Sequence, residues 1–217
     1  MTITMTGTLD HDRYCAEILT QTDLLRETVR GADLKTTVPT CPDWTIEDLL
    51  RHVGGAHRWV DTTVRTRANE MVPFDAVPNH RGPEGDDPEA LDAWLADGAR
   101  RVVEALREAG GDTLLWAWMP DQPTVFWSRR MTHETVVHRA DAASATGADF
   151  TLDPEVAADT MEEWTQLVCL APLLKPDHPA ARLLGTGRTF RLPVDTSGIE
   201  VIGDRAFLEE WLEAAKL

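Results

Sequence analysis

The sequence predicts a mainly α protein: an antiparallel four-helix bundle over residues 1–170, followed by a small, truncated α/β segment over residues 171–217. Three observations carry this. Apolar residues recur at helical spacing through several long stretches. Glycine and proline pairs punctuate those stretches at short intervals. Runs that read as strands are confined to the tail, where T-F-R-L-P-V and I-E-V-I are short and apolar.

The first helix is expected from Asp10 to about Arg30, with Tyr14, Ile18, Leu25 and Val29 toward the core and Gly31 as its stop. The next segment, A-D-L-K-T-T-V-P-T-C-P-D-W, holds two prolines and is expected to be extended, because residues that precede proline avoid α geometry. Helix two starts with Thr45 as N-cap and Asp48 at the capping-box position, with Trp44 and Leu49 as a hydrophobic staple, and runs to about Arg67. Gly54 and Gly55 lie inside it. Each costs roughly 0.8–1 kcal/mol relative to alanine, so close packing or a need for empty space should offset them. Residues 70–87 are polar and rich in proline and glycine, which reads as a long surface loop of the lid or binding type.

Helix three takes Asp87 as N-cap and Pro88 at N1, and ends at Ala109 before Gly110-Gly111. A short aromatic connector, residues 114–127, feeds helix four from about Thr124 to Ala145. Helix five runs from Asp153-Pro154 to near Leu170, a proline-rich linker follows, and Asp204 caps a last helix.

The 217 residues are 42% hydrophobic and 27% charged, an ordinary soluble composition with material for a core. A formal charge of -16 argues against a nucleic-acid footprint and against an anionic membrane surface. No apolar run is long enough to span a bilayer and the N-terminus lacks a signal pattern, so a cytoplasmic location is expected. Cys15, Cys41 and Cys169 are widely spaced and read as small buried hydrophobes rather than a disulfide or thiolate-metal set.

Chemistry concentrates in the stretch F-W-S-R-R-M-T-H-E-T-V-V-H-R-A-D, residues 126–141. Glu134 and His138, at i and i+4, share one helix face. Catalytic zinc takes three ligands from His, Glu and Asp and keeps a fourth position open. His52, across the bundle, could supply the third. Asp48, at i-4 from His52, and Asp141, at i+3 from His138, are placed to orient the imidazoles. H-E-x-x-x-H is not a zincin pattern, since His133 and His138 face different ways. The plainer reading pairs Glu134 with Arg130 and leaves His138 a neutral imidazole bonded to Asp141. The apolar flank, Phe126, Trp127, Met131, Val136 and Val137, argues that the pair is not simply solvated.

Gly55 and Ala56, at i+3 and i+4 from His52, would leave room beside it. Trp59, Trp127 and Met131 are candidates to line a pocket, with core packing as the alternative for the tryptophans. Arg129, Arg130 and Arg139 are the nearest positive charges and could hold a carboxylate or enolate; solvated surface charge is the alternative. His57 and His133 read as surface residues or as partners of the ligands.

Two segments, C-P-D-W-T-I-E-D-L-L-R-H-V-G-G-A-H-R-W and the 126–141 stretch, resemble the hallmark stretches of the mycothiol-dependent maleylpyruvate isomerase family, which belongs to the DinB-like four-helix-bundle metalloproteins. The resemblance spans about Asp10 to Leu170. It implies that His52, Glu134 and His138 are zinc ligands (or ligands of another divalent metal), and that mycothiol is the thiol cosubstrate. The implied chemistry is thiolate addition to a conjugated double bond of a small molecule, giving cis–trans isomerisation, or thiol transfer to an electrophile. A thiol-independent metal hydrolase and a non-catalytic zinc- or small-molecule-binding protein are the alternatives. The tail departs from the family's fuller sterol-carrier-like domain, passing from T-F-R-L-P-V almost directly to I-E-V-I, so substrate identity does not carry over.

Overall fold

The computed structural model describes residues 7–85, 87–174, 177–183, 185–191, 194–195 and 197–214. Two compact units result. One is Leu9–Thr151; the described residues from Leu152 onward, with Gly7 and Thr8, form the other.

The first unit is built from four helices: α1 (His11–Thr28), α2 (Ile46–Arg65), α3 (Pro88–Ala109) and α4 (Val125–Thr146). α2 packs on α3 and α1 on α4, and α1–α3 and α2–α4 contacts close the bundle. Local chemistry sets the ends. Asp10 caps α1 by accepting from Arg13 N, Asp87 caps α3 from Glu89 N and Ala90 N with Pro88 in the first turn, and Gly110 ends α3 at φ 74°. The Thr45–Asp48 capping box is formed in both directions.

The extended segment before α2 is a two-stranded pair, β1 (Thr37–Val38) with β2 (Cys41–Thr45), antiparallel. The aromatic connector is also a hairpin, β3 (Leu114–Ala117) with β4 (Met119–Pro123). Sequence patterning did not mark it: the turn places Trp118, a non-glycine residue, at φ 57°, and two prolines occupy β4. Trp116 N donating to Ala68 O at 2.7 Å ties the hairpin to the end of α2.

Leu25, Val38, Ile46, Leu49, Val53, Trp94 and Leu95 are buried in one core cluster. Trp59, Trp116, Trp118, Phe126 and Trp127 form a second, with ring centroids 5.1–6.2 Å apart at mostly edge-to-face angles. The glycine pair in α2 is explained by close packing. A Cβ on Gly54 would stand 2.2 Å from the Trp94 ring, and one on Gly55 would stand 3.1 Å from His80 O.

In the second unit, α5 (Pro154–Leu174) runs one turn past its expected end at Leu170. Pro172 lies in that last turn. β5 (Phe190–Arg191) pairs with β8 (Ile202–Gly203), and β6 (Val194–Asp195) with β7 (Gly198–Ile199), all antiparallel and two residues long. α6 (Arg205–Ala214) is capped by Asp204, whose Oδ1 accepts from Phe207 N at 2.8 Å. Phe207 and Trp211 from α6 bury against Ala180 and Leu183. Leu192 and Pro193 of the expected strand, the final Ala215–Leu217 and the Cys169 side chain lie outside what is described. Among the described residues, no helix is long and apolar enough to cross a membrane.

Candidate metal centre

α2 and α4 pack side by side, and their facing positions bring three polar side chains together. His52 Nε2 lies 2.7 Å from Glu134 Oε1, and His138 Nε2 lies 3.4 Å from the same oxygen. One donor atom from each of the three residues falls within 4.8 Å of the others, a grouping able to hold a metal ion. Glu134 and His138 meet because α4 is helical through both and sets them one turn apart.

Two neighbours hold the cluster in place. Asp141 Oδ2 accepts from His138 Nδ1 at 2.9 Å, so Nε2 is the nitrogen turned toward Glu134, and Thr40 Oγ1 donates to Asp141 Oδ1 at 2.6 Å. Arg130 Nη2 donates to Glu134 Oε2, leaving Oε1 for the imidazoles. Burial opposes the charge on Glu134, but Arg130 and hydrogen bonds from His138 and His52 hold its carboxyl well below the usual range. Burial likewise opposes protonation of His138, yet Asp141 and Glu134 raise it to about 9.

Other expected site residues lie elsewhere. Asp48 does not orient His52: its Oδ2 accepts from Thr45 N and Thr45 Oγ1, because the capping box claims it. Gly55 does not open space beside His52, since His80 Nε2 lies 3.3 Å from where its Cβ would be. Ala56, the next residue, is half-buried. Trp59 and Trp127 are core rather than pocket wall. Their indole N–H groups donate to Val72 O and Trp116 O, and Trp127 is fully buried. Met131 is buried as well.

Arg139 turns away from the cluster: Nη2 donates to Thr151 O at 2.6 Å and the guanidinium lies 4.2 Å from the Phe150 ring centre. Arg129 is buried, not solvated. Arg130 is bonded to Glu134. His57 and His133 are both buried rather than at the surface. His57 Nε2 bonds to Thr135 Oγ1 at 3.0 Å, and burial drops it to about 4; His133 stands edge-on to Tyr14. Cys15 is buried and Cys41 half-buried; burial and the nearby Asp141 charge raise the Cys41 thiol.

Two aromatic residues join the site without having been singled out for it. The Trp44 ring lies 4.8 Å from that of His52 and 5.8 Å from that of His138, flanking both imidazoles. His80 reaches the same side of α2 from the 70–87 loop. The signal for Trp44 was its place in C-P-D-W before the capping box. For His80 it was only the unexplained Gly55.

The family model described as the mycothiol maleylpyruvate isomerase N-terminal domain matches residues 15–143, from α1 through most of α4 and including His52, Glu134 and His138. The chain belongs to that family. Comparisons with curated proteins and with solved structures give no match.

Proposed function

We propose that the chain is a zinc- and mycothiol-dependent enzyme of the maleylpyruvate isomerase type. The observation that carries this reading is the convergence of His52 Nε2, Glu134 Oε1 and His138 Nε2 within a family-matched bundle.

The residues fit a three-ligand zinc. Two imidazoles and a carboxylate are a catalytic donor set, and donors around a tetrahedral zinc stand roughly 3.3 Å apart at bond lengths near 2.05 Å. The 2.7 and 3.4 Å separations are already close to that. Asp141 supplies the carboxylate partner that a metal-bound imidazole generally has on its other nitrogen. When bound, zinc would lower the pKa of a thiol or water and polarise a carbonyl.

The chain's own residues then hold and orient. Glu134 and His138 act from one rigid helix, His52 from its neighbour. Arg130 retains the second oxygen of Glu134, so that carboxylate is a ligand rather than a mobile base. Trp44 flanks His52 and His138 with its ring 4.8 and 5.8 Å from theirs. The reaction is addition of the mycothiol sulfur across a conjugated double bond of a small molecule. Rotation about the resulting single bond and expulsion of the thiol give the isomer; stopping after addition gives thiol transfer.

Metal analysis with activity assays tests this. Wild type should bind one zinc, His52→Ala and His138→Ala should lose it, and a cis-configured enedione acid should isomerise only with mycothiol present. Protein without stoichiometric metal would overturn the reading, and turnover without thiol would favour zinc-dependent hydrolysis.

A further inference from the structure

The loop between α2 and α3 is pinned to the bundle and carries a histidine to the metal-candidate face of α2. Trp59 Nε1 donates to Val72 O at 2.8 Å and Trp94 Nε1 to Asn79 O at 3.0 Å. Arg51 Nη1 donates to Arg81 O and Pro83 O at 2.8 and 3.0 Å. Between these anchors Asn79 takes φ 53°, a left-handed conformation that asparagine tolerates better than most residues. His80 follows it. Gly55 makes way for His80, whose Nε2 lies 3.3 Å from the Cβ position that glycine leaves empty.

Gly55 is three residues beyond His52, on the same helix face. Cβ positions at that spacing are about 5–6 Å apart, which puts His80 Nε2 within about 9 Å of His52 Cβ. The His80 ring stacks against Phe74 at 5.0 Å and, among the described residues, makes no hydrogen bond. It also borders a hollow of about 260 Å³ on the loop itself, together with Phe74, Asn79 and Arg81, so the ring is not sealed inside the fold. Burial, followed by the charges of Arg81, His52 and Arg58, holds His80 below its ordinary pKa. A neutral ring with one N–H and one lone pair follows.

We propose that His80 hydrogen-bonds an oxygen, carbonyl or carboxylate, of the small molecule held beside the His52–Glu134–His138 cluster, and so helps determine which molecules the site accepts. This rests on the cluster being a metal centre that takes a thiol. Asp48 is spent on its cap and Arg139 faces Thr151, whereas among the described residues the His80 ring makes no hydrogen bond.

Matched thiols test it on the zinc-loaded full chain. Mercaptoacetate, 3-mercaptopropionate and 4-mercaptobutyrate are titrated calorimetrically beside the alkanethiols of equal length, with zinc content measured in parallel. Wild type should prefer the carboxylate member about tenfold or more at one chain length, as a hydrogen bond to a charged group allows. His80→Ala should lose that preference with zinc intact, and His80→Gln, which keeps an N–H near the Nε2 position, should retain part of it. If His80→Ala fails to fold, His80→Phe, which keeps the stack on Phe74, takes its place. An equal preference in all proteins would overturn the assignment, and zinc loss in His80→Ala would overturn it by making His80 a ligand. Zinc-loaded wild type that binds none of the thiols would instead refute the reading of the cluster itself.

Discussion

Replacing Asp141 by asparagine separates two effects that oppose each other in metal binding. The carboxylate orients His138 through the 2.9 Å bond to Nδ1, and it also helps raise that imidazole to about 9. A metal must displace the proton, so below pH 9 wild-type zinc affinity should rise about tenfold per pH unit. The Asp141→Asn side chain keeps an acceptor oxygen but no charge, and His138 should fall back toward 6.5. Losing such a partner costs about 10–100-fold in metal affinity. At pH 7.5, however, wild type carries a proton penalty of about 30-fold, from a pKa about 1.5 units above the pH. The variant should therefore bind 10–100-fold more weakly near pH 9.5, with the gap narrowing or closing near neutrality. Competition against a chromophoric zinc chelator from pH 6.5 to 9.5 measures both curves. Parallel curves, or identical ones, would refute the reasoning. In metal-free protein, the His138 interaction stabilises the fold fully below about pH 6.5 and is lost as pH rises through about 9, so chelator-treated wild type should lose this contribution on that alkaline side.

Gly54→Ala gains about 1 kcal/mol of helix propensity, but its Cβ would meet the Trp94 ring at 2.2–2.8 Å; overpacking of about 1–3 kcal/mol should prevail, and a lowered urea midpoint checks it. His57 is held at about 4 in the fold against 6.5 unfolded, so stability falls as pH drops from 6.5 toward 4, by about 1.4 kcal/mol per unit and about 3 kcal/mol in all. His57→Gln should flatten that acid limb in urea titrations of metal-free protein. An unchanged slope would show that His57 does not cause it. Trp44 lies 4.8 and 5.8 Å from the two imidazoles, so zinc loading should change tryptophan emission, and Trp44→Phe should remove most of the change.

Much of the bundle was legible because its signals are local. Asp87, Pro88 and Gly110 bound α3, and Thr45 with Asp48 starts α2, through hydrogen bonds and backbone preferences that span three or four residues. Glu134 and His138 share a face for the same reason: helical geometry fixes residues four apart. The β3–β4 hairpin was not legible, because its turn depends on Trp118 in a left-handed conformation that no sequence pattern marks. Helix α5 ran past Pro172, where the local signal for a stop was overruled.

At the site, sequence alone determined the i,i+4 pair on α4 and the histidine on α2 that could face it. Tertiary structure decided what surrounds them. Asp48 and Asp141 looked equivalent as partners of the imidazoles, but the cap captures the first and leaves the second on His138. Arg130 and Arg139 lie nine residues apart on one helix, which is half a turn of azimuth, and only the packing against the rest of the bundle decides which side meets Glu134. His80 is separated from His52 by a loop whose path is set by Trp59, Trp94 and Arg51, side chains on two different helices. Short-range rules fix the chain's own geometry. Which distant side chains share a space depends on how whole helices and loops pack, and that free energy is spread over contacts no single stretch contains.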